Sequence, residues 1–112
     1  MSLFTEPRFE IRLLPEADEF LQGLSEEERN HIYLKLCTAQ QVNDPKKFSK
    51  LRGNIWEFRF YFKKNAYRLY SFWCNVERRL VIVSHGIIKK SQKASNADIE
   101  RAEKIRSDYY TN

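Results

Sequence analysis

The residues of this chain with the means to do chemistry are two arginines, a histidine and a run of lysines. Arg59 and Arg68 stand nine positions apart among aromatic residues, His85 comes just before Gly86, and Lys89, Lys90 and Lys93 follow. An arginine fork is planar and permanently charged, so two of them can hold a phosphate in line and neutralise charge building on its oxygens. His85, with an ordinary pKa near neutrality, is suited to carry a proton, and the lysines bring point charges. Permanent cations with few proton carriers suit phosphoryl chemistry on RNA, where the 2′-hydroxyl is a built-in nucleophile. Glu57 can act as a base or pair with an arginine on its own strand face. His31, on a helix beside Glu28 and Asn30, is expected to be exposed.

These residues belong to a strongly basic segment. Residues 46–93 hold thirteen of the twenty Lys and Arg against two of the fifteen carboxylates, Glu57 and Glu77, hence eleven net positive charges. The flanks are acidic: four basic against nine acidic side chains in residues 1–45, and three against four in residues 94–112. Both tryptophans and most other aromatics fall in the basic segment too. The composition therefore describes a folded surface able to hold phosphates and stack bases, not a solvated tail. Lys50 and Arg52 are expected to bind RNA phosphates there, together with Lys89, Lys90 and Lys93.

Several other chemistries lack their parts. Cys37 and Cys74 are the only cysteines and form no CxxC or Cys/His cluster, so neither a metal site nor a disulfide framework is expected. With three glycines and no GxxxxGK there is no phosphate loop, and no cofactor, metal or small-molecule, is expected. The first residues show no signal pattern, and no apolar run approaches the roughly 20 residues that span a bilayer. The expectation is a cytoplasmic protein without a membrane partner. At 112 residues and 13.5 kDa, a single domain over residues 1–112 is expected.

Hydrophobic periodicity predicts the elements that position these side chains. Phe9, Ile11 and Leu13 alternate with Glu10 and Arg12, a half-buried strand ending at Leu14. Pro15 opens a short helix with Ala17, Phe20, Leu21 and Leu24 on one face, closing near Gly23. Ser25 to Glu28 reads as a capping box for a second helix reaching about Gln41. Residues 43–53 read as a basic connector. In Ile55 to Phe62, Trp56, Phe58, Phe60 and Phe62 share one face while Glu57, Arg59 and Tyr61 share the other. Lys63 to Asn65 turns into a return strand, Ala66 to Cys74, and a third strand runs from Arg79 to His85. A final helix is predicted from Asn96 to Tyr109, with Tyr109 as a core residue. The expected architecture is a small α+β domain: N-terminal strand, helical hairpin, three-stranded antiparallel meander and C-terminal helix. Its helices are expected on one sheet face, leaving Arg59 and Arg68 to project from the other.

Three segments resemble the RelE/ParE superfamily of bacterial toxins, most closely its HigB-like, phage-derived branch. Gly53 to Arg59 is similar to that branch's Gly-x-x-Trp-Glu-x-Arg strand, and Tyr67-Arg68-Leu69-Tyr70 to its Tyr-Arg-x-x return strand. His85-Gly86-Ile87-Ile88-Lys89-Lys90-Ser91-Gln92-Lys93 is similar to its His-Gly-Phe-x-Lys-Lys-Thr-x-Lys signature. The departures are Ile87 in a Phe slot, Ser91 for Thr and Ala94-Ser95-Asn96 where a Thr-Pro is usual; they bear on packing more than on charge. The resemblance implies a RelE-like fold and the toxin of a toxin–antitoxin pair, an mRNA endoribonuclease acting on the ribosome and silenced by a cognate antitoxin protein. Arg59 and Arg68 would then clamp the phosphate and stabilise the transition state, with Lys89 and Lys90 in support. The proton carrier is open between His85, a tyrosine such as Tyr109 or Tyr110, and a lysine. The alternatives are a ParE-like inhibitor of DNA gyrase without nuclease activity, and an inactive nucleic-acid-binding relic.

Overall fold

Capping decides where the helices begin. The Ser25 side chain accepts from the Glu28 N–H while the Glu28 carboxylate accepts from the Ser25 N–H, so α2 (Glu26–Gln41) starts where the capping box lies. Pro15 opens α1 (Pro15–Gln22), its fixed φ being preset for a first turn. The computed structural model describes residues 6–89 and 94–111. Its strands are β1 (Glu10–Leu13), β2 (Phe48–Arg52), β3 (Ile55–Phe62), β4 (Asn65–Trp73) and β5 (Leu80–Lys89), and the last helix is α3 (Asn96–Thr111). They form one five-stranded sheet of order β1-β5-β4-β3-β2, antiparallel except where β1 pairs in parallel with β5. No helix among the described residues is long and apolar enough to cross a membrane.

Both sheet faces are covered. On one, α1 and α2 pack Ala17, Leu21, Ile32 and Leu36 against Phe58, Phe60, Leu69, Val81 and Val83. On the other, Ile99 and Ala102 of α3 pack against Ile55, Tyr70, Phe72 and Ile82, with Tyr109 and Tyr110 against the same cluster. The expected single helical layer is thus corrected: the face expected to be open lies under α3, whose narrow apolar stripe, Ile99 and Ala102 with the two tyrosines, suffices to dock it. Tyr109 packs on Phe72 at half burial and accepts a hydrogen bond from Arg12.

Two strand assignments also change. Residues 43–53 are not only a connector, because Phe48 is buried against Phe9, Trp56 and Phe58 and draws β2 onto the sheet edge. Lysines on such an edge hide its strand pattern while discouraging edge-to-edge pairing. The last strand continues beyond His85 to Lys89.

A bulge within β5 controls which way its signature residues face. Tyr70 pairs with His85 and Ser71 with Val83, so Ser84 is the extra residue. Before it, Val81 and Val83 face α1 and α2; after it, Ile87 joins the α3 cluster. Gly86 faces the other way, so closely packed that an added Cβ would lie 2.4 Å from Phe20 and 2.7 Å from Leu69. The β3–β4 turn holds Lys63 and Lys64 at φ 49 and 70, the left-handed pair of a tight hairpin. Lys63 pairs with Glu27 at 2.8 Å and Tyr67 donates to Glu28, tying the hairpin to the start of α2.

Candidate functional site

Strand register sets the chemistry-bearing residues in two rows beneath and beside α3. Arg59, Arg68 and Ile87 are neighbours across β3, β4 and β5; Glu57, Tyr70 and His85 form the row beside them. Because residues two apart share a strand face, Glu57 comes to lie against both arginines. Its Oε1 accepts from Arg59 Nε at 3.0 Å and Nη2 at 2.9 Å, and its Oε2 from Arg68 Nη1 at 2.8 Å. The Glu57 and Arg68 side chains are fully buried, whereas 30% of the Arg59 side chain is exposed. The expectation that both arginines project from the surface is therefore corrected for Arg68, which lies in the layer that α3 covers.

His85 is buried as well, stacked on Tyr70 with ring centroids 5.0 Å apart. Ser84 donates its hydroxyl to the Tyr70 carbonyl and lies 3.0 Å from His85 Nδ1. With the hydroxyl proton so committed, Nδ1–H donates to Ser84 Oγ, and Nε2 carries the lone pair. That nitrogen faces Asp98 Oδ1 at 3.8 Å, too far for a hydrogen bond, and has no hydrogen-bond partner among the described residues. Burial, aided by the Arg101 guanidinium and opposed by the carboxylates of Asp98 and Glu16, pushes the imidazole down to about 4. His85 is thus neutral at neutral pH, able to accept a proton but not to give one. Burial likewise pushes the Tyr70 phenol up to about 12, with the charges of Asp98 and Glu57 adding to it.

The remaining basic residues divide. Lys89 Nζ lies 3.7 Å from Asp98 Oδ2, and Arg52 donates to Asn96 at 2.9 Å, so both border the first turn of α3. Lys50 does not join them: it pairs with Trp56, a position on the α1–α2 side, and so lies on the opposite sheet face from Arg59. Lys90 and Lys93 lie outside the described residues. His31, expected to be exposed, is half-buried and stacks on Phe62 with centroids 4.3 Å apart. No group of three or more His, Cys, Asp or Glu that could hold a metal occurs among the described residues. Sequence reasoning missed Asp98, Asn96 and Tyr70, whose parts depend on where α3 docks; the two-residue spacing of Glu57 and Arg59 was a visible signal for their pairing.

The family model described as phage derived protein Gp49-like (DUF891) matches residues 19–107. No curated protein matches the chain. Among solved structures, Escherichia coli toxin RelE, a mutant with two arginine-to-alanine substitutions in the free state, superimposes with a TM-score of 0.59 at 18% identity. That match covers 86% of this chain and 95% of RelE. The toxin–antitoxin complex RelBE2 from Mycobacterium tuberculosis contains a chain that superimposes with a TM-score of 0.55 at 16% identity, covering 74% of this chain and 99% of that one. The shared feature at these identities is the RelE-like fold.

Proposed function

The chain belongs to the phage derived Gp49-like protein family, and from that membership and the RelE-like fold we propose that it is the toxin of a bacterial type II toxin–antitoxin pair, an endoribonuclease that cleaves messenger RNA on the ribosome. On this reading residues 1–112 act as one domain in the cytoplasm, and a cognate antitoxin offers acidic or apolar segments to the basic face. The observation that carries the reading is the Glu57 trio. Two arginines share one carboxylate, so the group keeps a formal charge of +1, and Arg59 brings that charge to the surface. Arg52 and Lys89 border the same face, and the sequence continues into Lys90 and Lys93.

In the proposed reaction the 2′-oxygen attacks the adjacent phosphorus and the bond from phosphorus to the 5′-oxygen breaks. The 2′-hydroxyl loses its proton, the leaving oxygen gains one, and the products end in a 2′,3′-cyclic phosphate and a 5′-hydroxyl. Arg59 stabilises charge on the non-bridging oxygens, and Arg68 acts from behind through Glu57. His85, neutral but buried beneath α3, supports the site from behind and leaves the proton traffic to groups at the surface. Dependence on the ribosome fits a protein with few proton carriers, since a ribosome that orients the RNA supplies much of the rate.

One observation favours a second reading. Arg68 and His85 both lie beneath α3, which leaves Arg59, Arg52 and Lys89 as a binding surface. Such a surface suits a non-catalytic inhibitor like the ParE-type toxins of DNA gyrase, or an inactive nucleic-acid-binding relic. Induction of the chain without antitoxin, with 5′ ends mapped on a translated reporter, separates these readings. Cleavages within the coding region that vanish with Arg59→Ala, and on a reporter lacking its start codon, are expected. Intact mRNA with arrested growth would favour the gyrase reading, and intact mRNA with normal growth the relic.

A further inference from the structure

Glu57 is the only carboxylate on β2, β3, β4 or β5, and both of its oxygens are committed to arginines. Register places Arg59 directly opposite Arg68, an arrangement that repels unless an anion lies between them. Glu57 is that anion, and its contacts with the two arginines differ in kind. Arg68 meets it within the buried layer, one nitrogen to one oxygen. Arg59 meets it along one edge of the guanidinium, Nε and Nη2 on the same oxygen, and that edge contact fixes the plane of the fork. The backbone beneath is held too, since Arg59 N–H donates to the carbonyl of Lys47, just before β2, at 2.8 Å. A long surface side chain is thereby held still with its outer edge toward solvent. Were Arg59 alone with Glu57 its charge would be cancelled; the second arginine keeps the cluster cationic.

We propose that Glu57 is a positioning residue, a buried brace that orients Arg59 for an RNA phosphate while Arg68 supplies the counter-charge that keeps Arg59 electrostatically active. This inference rests on the RNA-cleaving reading, and it makes orientation, rather than charge alone, the contribution of Arg59 to the rate.

The test compares wild type, Arg59→Lys, the double variant Glu57→Gln/Arg68→Gln and the triple variant combining all three, each checked for folding by thermal melting. Arg59→Lys keeps the charge but cannot make the edge contact. The double variant removes both buried charges together and leaves Arg59 unbraced. RNA affinity and its salt slope should stay within about threefold in every variant, because a cation remains at position 59. The cleavage rate on ribosome-bound mRNA should fall at least about tenfold in Arg59→Lys and in the double variant, with no further fall in the triple variant. The Arg59 Nε–H resonance should be sharp and slow to exchange in wild type and lost in the double variant. A folded double variant that cleaves as fast as wild type overturns the brace, as does full additivity in the triple variant. Wild-type protein that cleaves no RNA overturns instead the reading on which the brace rests. Should the double variant not fold, Glu57→Asp, which keeps the buried charge but shortens the arm, must lower the rate with KM unchanged; unchanged cleavage there also overturns the proposal.

Discussion

Lowering the pH from 7 to 5 should weaken the fold through one residue. His85 is held down to about 4 in the fold against an ordinary 6.5, so between those values the unfolded chain takes up a proton that the folded one refuses. A depressed folded pKa gives stability that is fully present above pH 6.5 and is lost as the pH falls toward 4. From pH 7 to pH 5 the loss attributable to His85 is about 1.5–2 kcal/mol. The groups around it enter with opposite signs: Arg101 of α3 disfavours the imidazolium, Asp98 of α3 and Glu16 of α1 favour it, and burial against Tyr70 outweighs them. Glu28, the other group whose shift bears on acid stability, has its pKa lowered below 4.5 chiefly by the Tyr67 hydrogen bond, so its contribution is lost only below this window. Urea denaturation at pH 5, 6 and 7, followed by tryptophan fluorescence, measures the effect. His85→Phe keeps an aromatic ring on Tyr70 without the proton, and His31→Gln controls for the other histidine. Wild type should lose stability toward pH 5 while His85→Phe stays nearly level. A difference between the two slopes below about 0.5 kcal/mol would refute the buried, neutral imidazole.

Three further expectations test the frame. Gly86→Ala places a methyl against Phe20 and Leu69 and should destabilise by about 1–3 kcal/mol, a drop in Tm of roughly 4–13 °C, with Phe20→Leu recovering at least half; an unchanged Tm would contradict that packing. Arg68→Met strands part of the Glu57 charge and should cost about 3–5 kcal/mol in urea denaturation, while Glu57→Gln/Arg68→Met should recover most of it; equal losses would show that the pair is not coupled. Ser25→Ala removes the capping box of α2 and should cost about 1 kcal/mol in thermal denaturation, and a change within 0.3 kcal/mol of zero, about the scatter of such melts, would show that the cap contributes nothing.

Local signals were the legible ones. The Ser25–Glu28 cap, Pro15 at its helix start and the aromatic alternation of β3 depend on a few neighbouring residues, and each stands where the sequence put it. β2 was hidden because one buried ring, Phe48, and a half-buried Leu51 carry it between the charged side chains of Lys50 and Arg52 on an edge. The docking of α3 was hidden for a related reason: its buried residues are only Ile99 and Ala102, too narrow a stripe to say which face it seeks. Apart from Lys50, which the β2–β3 register turns to the other face, what was misjudged about the candidate site follows from that docking. Without α3, Arg68 reads as a surface cation like Arg59, and His85 as an accessible acid or base. The bulge at Ser84 adds a second hidden step, since strict alternation from Ile82 would have turned His85 toward α1 and α2.

The parallel pairing of β1 with β5 bears on the timing of synthesis. Glu10 finds its partner in Leu80, seventy residues later, and Phe9 is buried against a core to which β4 and β5 contribute. The first strand has no other neighbour in the sheet, so it waits for residues 80–83 to emerge from the ribosomal tunnel before its backbone groups are satisfied. Closing so long a loop costs entropy that only the finished sheet offsets, which makes the appearance of β5 the moment of assembly. The two rows of residues around Glu57 and His85 draw on β3, β4, β5 and α3, so a truncated nascent chain lacks them. The basic face therefore assembles as a unit, once β5 and α3 have followed β3 and β4 out of the tunnel.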